Sequence, residues 1–418
     1  MMNAYRPPLG EGARFVWADP GSSRIPAWVY TDPEIYALEL ERIFYGPHWS
    51  YVGLEAEVPE AGSFKRTAIG ERSVIMVRNR KGEINVLENR CAHRAMSFCQ
   101  ERQGQVKTFV CPYHQWNYSL DGKLLGVPFQ RGFKGQGGMP EDFALEDHGL
   151  RSLEVTVRNG VVFASFDPSV EPFKEYLSPG ILEYFDRTFD GRKLTILGYS
   201  RQRIPGNWKL MQENIKDPYH PGLLHTWFVT FGLWRADNQS ELRMDPKGRH
   251  ACMISRRSEQ VDLETTKGVS SFRQNMTLND PGLLDVEHEP WWGKPTVCMT
   301  TVFPSVILQQ QVNSLSTRQI IPVGPDKFDF VWTHFGFADD TPEMTKRRLK
   351  QANLFGPAGF VSADDGEVIE FSQDGFDQDH GFSSICELDG VGVGNTEHMV
   401  SETLIRGMYR YWREIMGL

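Results

Sequence analysis

Along this chain the spacing of apolar residues shifts from helical to alternating and back, and the elements follow from that shift. Asp32-Pro33-Glu34 predicts a helix to about Tyr45, with Asp32 as N-cap and Pro33 in the first turn. The residues before it, up to about residue 30, are rich in Pro, Gly and Arg and predict an arm lying over the surface. From Trp49 to Asp167 short β-type runs alternate with Gly and charged turns. Residues 73–78 and 83–87 flank a turn at 79–82, and residues 155–158 and 161–166 flank Asn159-Gly160, a pair suited to a type I′ hairpin. Beyond this all-β stretch, 178–189 predicts a helix, 193–203 a strand, and a second helix opens at Asn207. Residues 268–290 are polar and irregular and predict a mobile flap. Residues 295–303, 306–318 and 328–337 predict three long strands of one antiparallel sheet. Residues 343–354 and 396–416 predict helices, the latter with Val400, Leu404 and Met408 on one stripe. The fold class this predicts is α+β, with an all-β module at 46–167 inserted between an N-terminal arm and helix (1–45) and the remainder (168–418).

Composition narrows the setting. A chain of 418 residues with 40% hydrophobic and 24% charged positions is an ordinary soluble globular protein of two or three domains. A net charge of −9 argues against nucleic acid or an anionic membrane as the main partner. The longest apolar runs, such as 161–166, are strand-length, which predicts no membrane span. The first residues, with Glu11 and no apolar stretch, predict no signal peptide. Cys91, Cys99, Cys111, Cys252, Cys298 and Cys386 are too scattered for a secreted disulfide framework, so a cytoplasmic location with reduced thiols is expected. The 11 Trp and 26 Phe suit large cores and an apolar pocket.

Two clusters carry the chemistry. Glu213, Asn214, Asp217, His220 and His225 fall within thirteen residues. The first three stand three or four apart and share a helix face, with His220 one turn on. His225 would sit roughly 140° around an unbroken helix from His220, too far to share an ion. Pro221-Gly222 breaks that helix and could bring both imidazoles to one point. Two His with a distant carboxylate make the facial triad of non-haem Fe(II) oxygenases; two polar residues at a kinked helix end are the plainer reading. Upstream, Cys91-Ala92-His93 is followed after seventeen residues by Cys111-Pro112-Tyr113-His114. Two thiolates and two imidazoles can hold a zinc ion, or a Rieske [2Fe–2S] cluster in which Cys bind one iron and His the other. Cys99 is off this pattern and reads as a buried free thiol.

Cys91-Ala92-His93-Arg94 with Cys111-Pro112-Tyr113-His114, followed by Glu213, Asn214, Asp217, His220 and His225, resembles the large subunit of the Rieske non-haem iron ring-hydroxylating oxygenases. The likeness runs over nearly the whole chain. One departure is Ala95, where that family usually has Gly. The resemblance implies an all-β Rieske domain at 46–167 and a mononuclear iron domain of helix-grip type, an antiparallel sheet flanked by helices. It implies Cys91, His93, Cys111 and His114 as cluster ligands. His220 and His225 are the implied iron ligands, completed by an Asp in residues 355–367, where Asp365 fits better than its neighbour Asp364. Asp217 is implied to bridge His220 to the His114 of a neighbouring subunit, with Asn214 a further candidate catalytic residue beside it. That bridge implies a head-to-tail ring of three chains.

The segments 205–214, 221–227, 303–314 and 135–140 are similar to the benzoate-type branch of that family. The implied reaction is hydroxylation of an aromatic monocarboxylate, salicylate to gentisate, with O₂. Cis-dihydroxylation of terephthalate or anthranilate is the alternative. Gln311 is the candidate carboxylate contact and Arg318 the cationic alternative; Gln309, Gln311 and Asn313 are expected to alternate onto one strand face. Met399, where terephthalate relatives carry an Arg, would form an apolar wall and favours a monocarboxylate. Gly390–Gly394 lacks the spacing and βαβ context of a dinucleotide loop. Electrons are therefore expected from an NAD(P)H-dependent reductase through a ferredoxin, and a small β subunit is implied as partner in an α3β3 assembly. A zinc-stabilised binding module and a Rieske electron carrier without oxygenase activity are the rival classes.

Overall fold

In the computed structural model, residues 15–231, 238–256, 279–283 and 285–418 are described. The all-β module comprises three small sheets. Ser63–Ile69, Arg72–Arg78, Ile84–Glu88 and Gln103–Gln105 form one, the short strands Phe109–Val110, Asn117–Tyr118 and Leu124–Gly126 a second, and Ser50–Leu54, Glu154–Arg158 and Val161–Ser165 a third. Both predicted hairpins are present, and Asn159 (φ 49) and Gly160 (φ 84) take the left-handed conformation a type I′ turn requires.

The C-terminal part is built on one seven-stranded antiparallel sheet: β1 Leu194–Pro205, β2 Gln239–Met244, β3 Ala251–Arg256, β4 Val297–Val302, β5 Val306–Gln311, β6 Ser314–Gly324 and β7 Lys327–Phe337, in the order β1-β7-β6-β5-β4-β3-β2. The helix Asp32 was expected to cap is there, Asp32 accepting from the Glu34 and Ile35 amides, and it ends in a π turn at Leu40–Phe44. One core joins the module to the sheet. It brings Val52, Val74 and Val162 together with Trp208, Ile307, Ile320 and Trp412, all essentially fully buried.

The structure corrects several expectations. Residues 306–318 are not one strand but the hairpin β5–β6, turning at Val312 (φ 46). The turn lacks Gly and Pro because polar side chains stabilise it from inside: Asn313 Nδ2 donates to the Glu287 carbonyl (2.7 Å) and to Glu289 (3.0 Å). Asn313 therefore lies in the turn, off the face shared by Gln309 and Gln311. The last helix starts at Thr403, not 396, since the Leu242 amide bonds the Thr396 carbonyl and holds that segment against β2. Leu404 and Met408 are buried on that helix, but Val400 precedes it and is exposed. The helix expected at 178–189 begins at Phe173 and kinks at Ser178 (φ 65), ahead of Pro179. The N-terminal arm is not wholly superficial: Arg24–Pro26 pairs with Ser383–Ile385, and Ile25 and Ala27 are buried. Most of the expected flap at 268–290 lies outside the described residues. Helix Phe360–Gln378 carries none of the expected elements, yet it positions the site. Among the described residues no helix is long and apolar enough to cross a membrane.

Candidate metal centres and substrate cavity

Helix Trp208–Lys216 opens on Asn207, whose side chain accepts from the Lys209 amide, and its buried side packs Trp208, Met211 and Ile215 into the core. It stops at Asp217, extended at φ −100 and ψ 98, because the following Pro218 disfavours helical geometry there. A short helix, Pro221–Leu224, restarts after His220, and His225 (φ −83, ψ 67) links it to Thr226–Thr230. The break is thus double, one turn earlier than Pro221 alone predicts. It sets the two imidazoles against each other with ring centroids 5.4 Å apart.

Helix Phe360–Gln378 supplies the carboxylate. Asp365 Oδ1 lies 3.6 Å from His220 Nε2 and 3.3 Å from His225 Nε2, and one donor atom from each residue falls within 4.8 Å of the others. Asn214 Nδ2 donates to the same oxygen at 3.1 Å. The far side of each ring meets another acid. Asp364 Oδ2 is 3.1 Å from His225 Nδ1, and Asp217 Oδ2 is 3.4 Å from His220 Nδ1, an ion-pair distance without hydrogen-bond geometry. The adjacent acids divide the work: Asp365 faces both Nε2 atoms, and Asp364 orients one imidazole from outside. Burial raises the Asp365 pKa, but the His220 and His225 imidazoles facing the carboxylate outweigh it and hold the carboxyl well below the usual range. Burial lowers that of His220, and the facing carboxylates of Asp217 and Asp365 push it up to about 9. Two neutral-capable nitrogens and one ionised oxygen on one face, with a cavity on the other, fit a mononuclear Fe(II) site.

The Cys and His loops are built alike. The Ala95 amide bonds the Cys91 carbonyl and the Gln115 amide the Cys111 carbonyl, at 2.9 and 2.8 Å. Ala95 (φ 55) and Gln115 (φ 57) both adopt the left-handed conformation that closes the loop. Ala95 does so with a Cβ, so the departure from Gly is accommodated. Cys91 and Cys111 are buried, whereas His93 is exposed and His114 half-exposed, with ring centroids 4.6 Å apart. His93 also stacks on Trp116. Among the described residues this quartet does not draw three donors into a group as tight as the iron triad. One zinc ion would need that convergence; a two-iron cluster, thiolates inside and imidazoles at the rim, does not. Sequence spacing gave no hint of Tyr118, whose hydroxyl lies 3.1 Å from Cys91 Sγ and accepts from the Ala92 amide.

A cavity of about 120 Å³ opens beside the triad. Gln311, Arg318 and Met399 all line it, with Asn214 and Asp365 at the metal end and Met253, Val297, Met299 and Val361 as apolar wall. Arg318 is 4% exposed, lies over the Trp332 ring (4.5 Å to its centroid) and has no carboxylate within ion-pair distance among the described residues; its Nε has no hydrogen-bond partner. Burial lowers its pKa to about 9, partly countered by Asp365. Such a guanidinium remains charged at neutral pH. The apolar wall residues come from strands and a helix far apart in sequence, and no local signal marks them.

Comparison with known proteins agrees with this geometry. The Rieske [2Fe-2S] domain family matches residues 48–140, and the family of the ring hydroxylating alpha subunit (catalytic domain) matches residues 189–418. The large oxygenase component of salicylate 5-hydroxylase from Ralstonia sp. is 67% identical over 406 residues, 96% of each chain. The alpha 2 subunit of the terephthalate 1,2-dioxygenase terminal oxygenase component from Comamonas sp. is 39% identical, over 96% of this chain and 97% of that one. In fold, the chain superposes on naphthalene 1,2-dioxygenase from Rhodococcus sp. with a TM-score of 0.78, at 24% identity and 94% of each chain. With a buried-thiol, exposed-imidazole module and a two-histidine, one-carboxylate centre on the antiparallel sheet, the chain belongs to the ring-hydroxylating oxygenase alpha subunits, enzymes with a Rieske [2Fe–2S] cluster and a mononuclear iron.

Proposed function

We propose that this chain is the oxygenase component that converts salicylate to gentisate in aromatic catabolism: salicylate, O₂, NAD(P)H and a proton give 2,5-dihydroxybenzoate, water and NAD(P)⁺. The observation that carries the reading is Arg318, a buried guanidinium that lines the cavity holding the triad and has no carboxylate partner among the described residues. A buried unpaired charge is costly, and an aromatic carboxylate is the ligand chemistry that relieves it. At about 120 Å³ the cavity is of the same order as the roughly 150 Å³ cavity that holds benzene, which suits a single ring better than a fused ring system. Met399 and the apolar wall offer nothing to a second carboxylate, which favours a monocarboxylate over terephthalate. The 67% identical relative is itself named a salicylate 5-hydroxylase.

His220, His225 and Asp365 would hold the iron, and Cys91, His93, Cys111 and His114 the cluster. When bound, these centres together supply the two electrons that activate O₂ for attack on the ring. The chain's own task is geometric. Arg318 and Gln311 fix the carboxylate end, Asn214 steadies Asp365, and the apolar wall keeps water from the ring. Asp217 is half-exposed beside His220, and although its Oδ1 accepts from the Tyr219 amide, the carboxylate has acceptor capacity left for His114 of a neighbouring subunit and would carry electrons across. We infer a ring of three such chains with small β subunits (α3β3), served in the cytoplasm by a ferredoxin and its NAD(P)H-dependent reductase. The test reconstitutes the holoenzyme with those two proteins, offers salicylate, benzoate, anthranilate and terephthalate, and identifies products by mass spectrometry. Gentisate from salicylate is expected; cis-diols from anthranilate or terephthalate with salicylate untouched would overturn the reading.

A further inference from the structure

The polar side of the cavity has a direction built into it. On β5, Gln309 and Gln311 share the cavity face, and in the ladder Ser316 on β6 stands opposite Gln309. Gln309 and Ser316 are fully buried, and of these three only Gln311 lines the cavity. Ser316 Oγ donates to Gln309 Oε1 at 3.1 Å, and Gln309 Nε2 donates to Gln311 Oε1 at 2.5 Å. A side-chain amide has one acceptor oxygen and one donor nitrogen. With its oxygen turned toward Gln309, Gln311 is left to direct its N–H groups to the cavity. Turning Gln311 alone sets two like groups against each other, and turning Gln309 with it leaves the buried Ser316 hydroxyl without the acceptor it now donates to; in a dry interior an unsatisfied polar atom costs about 1–3 kcal/mol.

We propose that Gln309 and Ser316, which do not touch the substrate, are positioning residues that hold Gln311 as a donor and thereby favour substituents offering acceptors at this end of the cavity. Arg318 is the second donor lining the cavity, so a carboxylate meets two fixed donors, while a group that must itself donate has on the sheet side the hydroxyls of Ser240 and Ser255 to turn to. The inference rests on the placement of the carboxylate proposed above and adds the element that sets the wall's polarity.

Gln309→Glu tests it. An ionised carboxylate at 309 still accepts from Ser316, but it can bond Gln311 only by accepting from Gln311 Nε2, which turns Gln311 Oε1 toward the cavity. Kinetics and equilibrium dialysis would compare salicylate with 2-hydroxyacetophenone, a neutral probe whose acetyl oxygen only accepts. Both should bind about tenfold more weakly, with the salicylate kcat changed less than threefold. Gln309→Met, which frees Gln311 without inverting it, should weaken both by less. Loss of salicylate binding with the ketone unaffected would mean simple charge repulsion. Equal damage by both substitutions, with kcat falling, would mean a packing role. Either overturns the proposal. If the reversed wall is too costly for Gln309→Glu to accumulate, Ser316→Ala is expected to raise the KM for salicylate about threefold with kcat kept, and an unchanged KM there overturns it. Arg318→Met reads the carboxylate placement separately: an unchanged salicylate KM in that variant refutes the placement, whatever Gln309→Glu does.

Discussion

Replacing Arg318 with Met should make the protein more stable and a worse enzyme at once. Met fills much of the same volume and keeps apolar contact with Trp332, over which the guanidinium now lies at 4.5 Å. Burial lowers the Arg318 pKa from 12.5 to about 9, a shift that corresponds to about 5 kcal/mol against the charged form. The folded-state value lies below the unfolded one, so the penalty is complete below pH 9 and fades as pH rises from 9 toward 12.5. Relief of part of that penalty, less the lost cation–π contact, leaves a net gain on the order of 1–3 kcal/mol at neutral pH. For a chain of this size that is a rise of a few degrees in Tm. Binding moves the other way. Removing one partner of a buried charge pair costs about 2–5 kcal/mol, so the salicylate KM should rise by about two orders of magnitude. Salicylamide, which brings no charge, should lose far less. Calorimetry of the ligand-free holoenzyme and steady-state kinetics on the two substrates form the assay. A lower Tm together with an unchanged salicylate KM would refute the idea that Arg318 is an uncompensated charge kept for the substrate.

Four further outcomes are expected. His220→Ala should remove the mononuclear iron, measured by metal analysis, while the visible spectrum of the cluster is retained. Asp217→Asn should keep both metals but slow reoxidation of the reduced cluster in a single turnover by about 10–100-fold, read by stopped-flow absorbance. Tyr118→Phe removes a hydroxyl 3.1 Å from Cys91 Sγ; its hydrogen bond favours the more negative reduced cluster, so the midpoint potential should fall by on the order of 50 mV in a redox titration. Glu213 accepts from the Tyr409 hydroxyl, and its close packing raises its pKa from 4.5 to about 7. The folded chain then holds a proton that the unfolded chain releases, so this group's contribution to stability falls as pH rises from 4.5 to 7; Glu213→Gln should flatten that part of a denaturation–pH profile.

What the sequence made legible was local chemistry, and what it hid was long-range geometry. Cys91, His93, Cys111 and His114 could be read because a cluster loop packs its ligands within a few residues, and the positive φ at Ala95 and Gln115 closes both loops the same way. His220 and His225 could be read because proline announces a break; that Asp217-Pro218 breaks the helix as well became visible only in three dimensions. Asp364 and Asp365 show the limit most sharply. Adjacent acids on a helix point about 100° apart, so choosing between them needs the helix's orientation. That orientation comes from contacts far away, among them Gln202 on β1, whose side chain bonds the Ser362 carbonyl at 3.0 Å and accepts from the Ser362 hydroxyl at 2.5 Å. The hairpin at Val312 was hidden for a related reason, because its turn is stabilised by Asn313 reaching Glu287 and Glu289 rather than by glycine or proline. The same hairpin places Gln309 against Ser316, and with them the contact that turns the Gln311 oxygen toward Gln309 at the cavity wall. A one-residue slip between β5 and β6 would preserve every cavity residue in the sequence and still lose that polarity, so register, more than residue identity, is what this wall encodes.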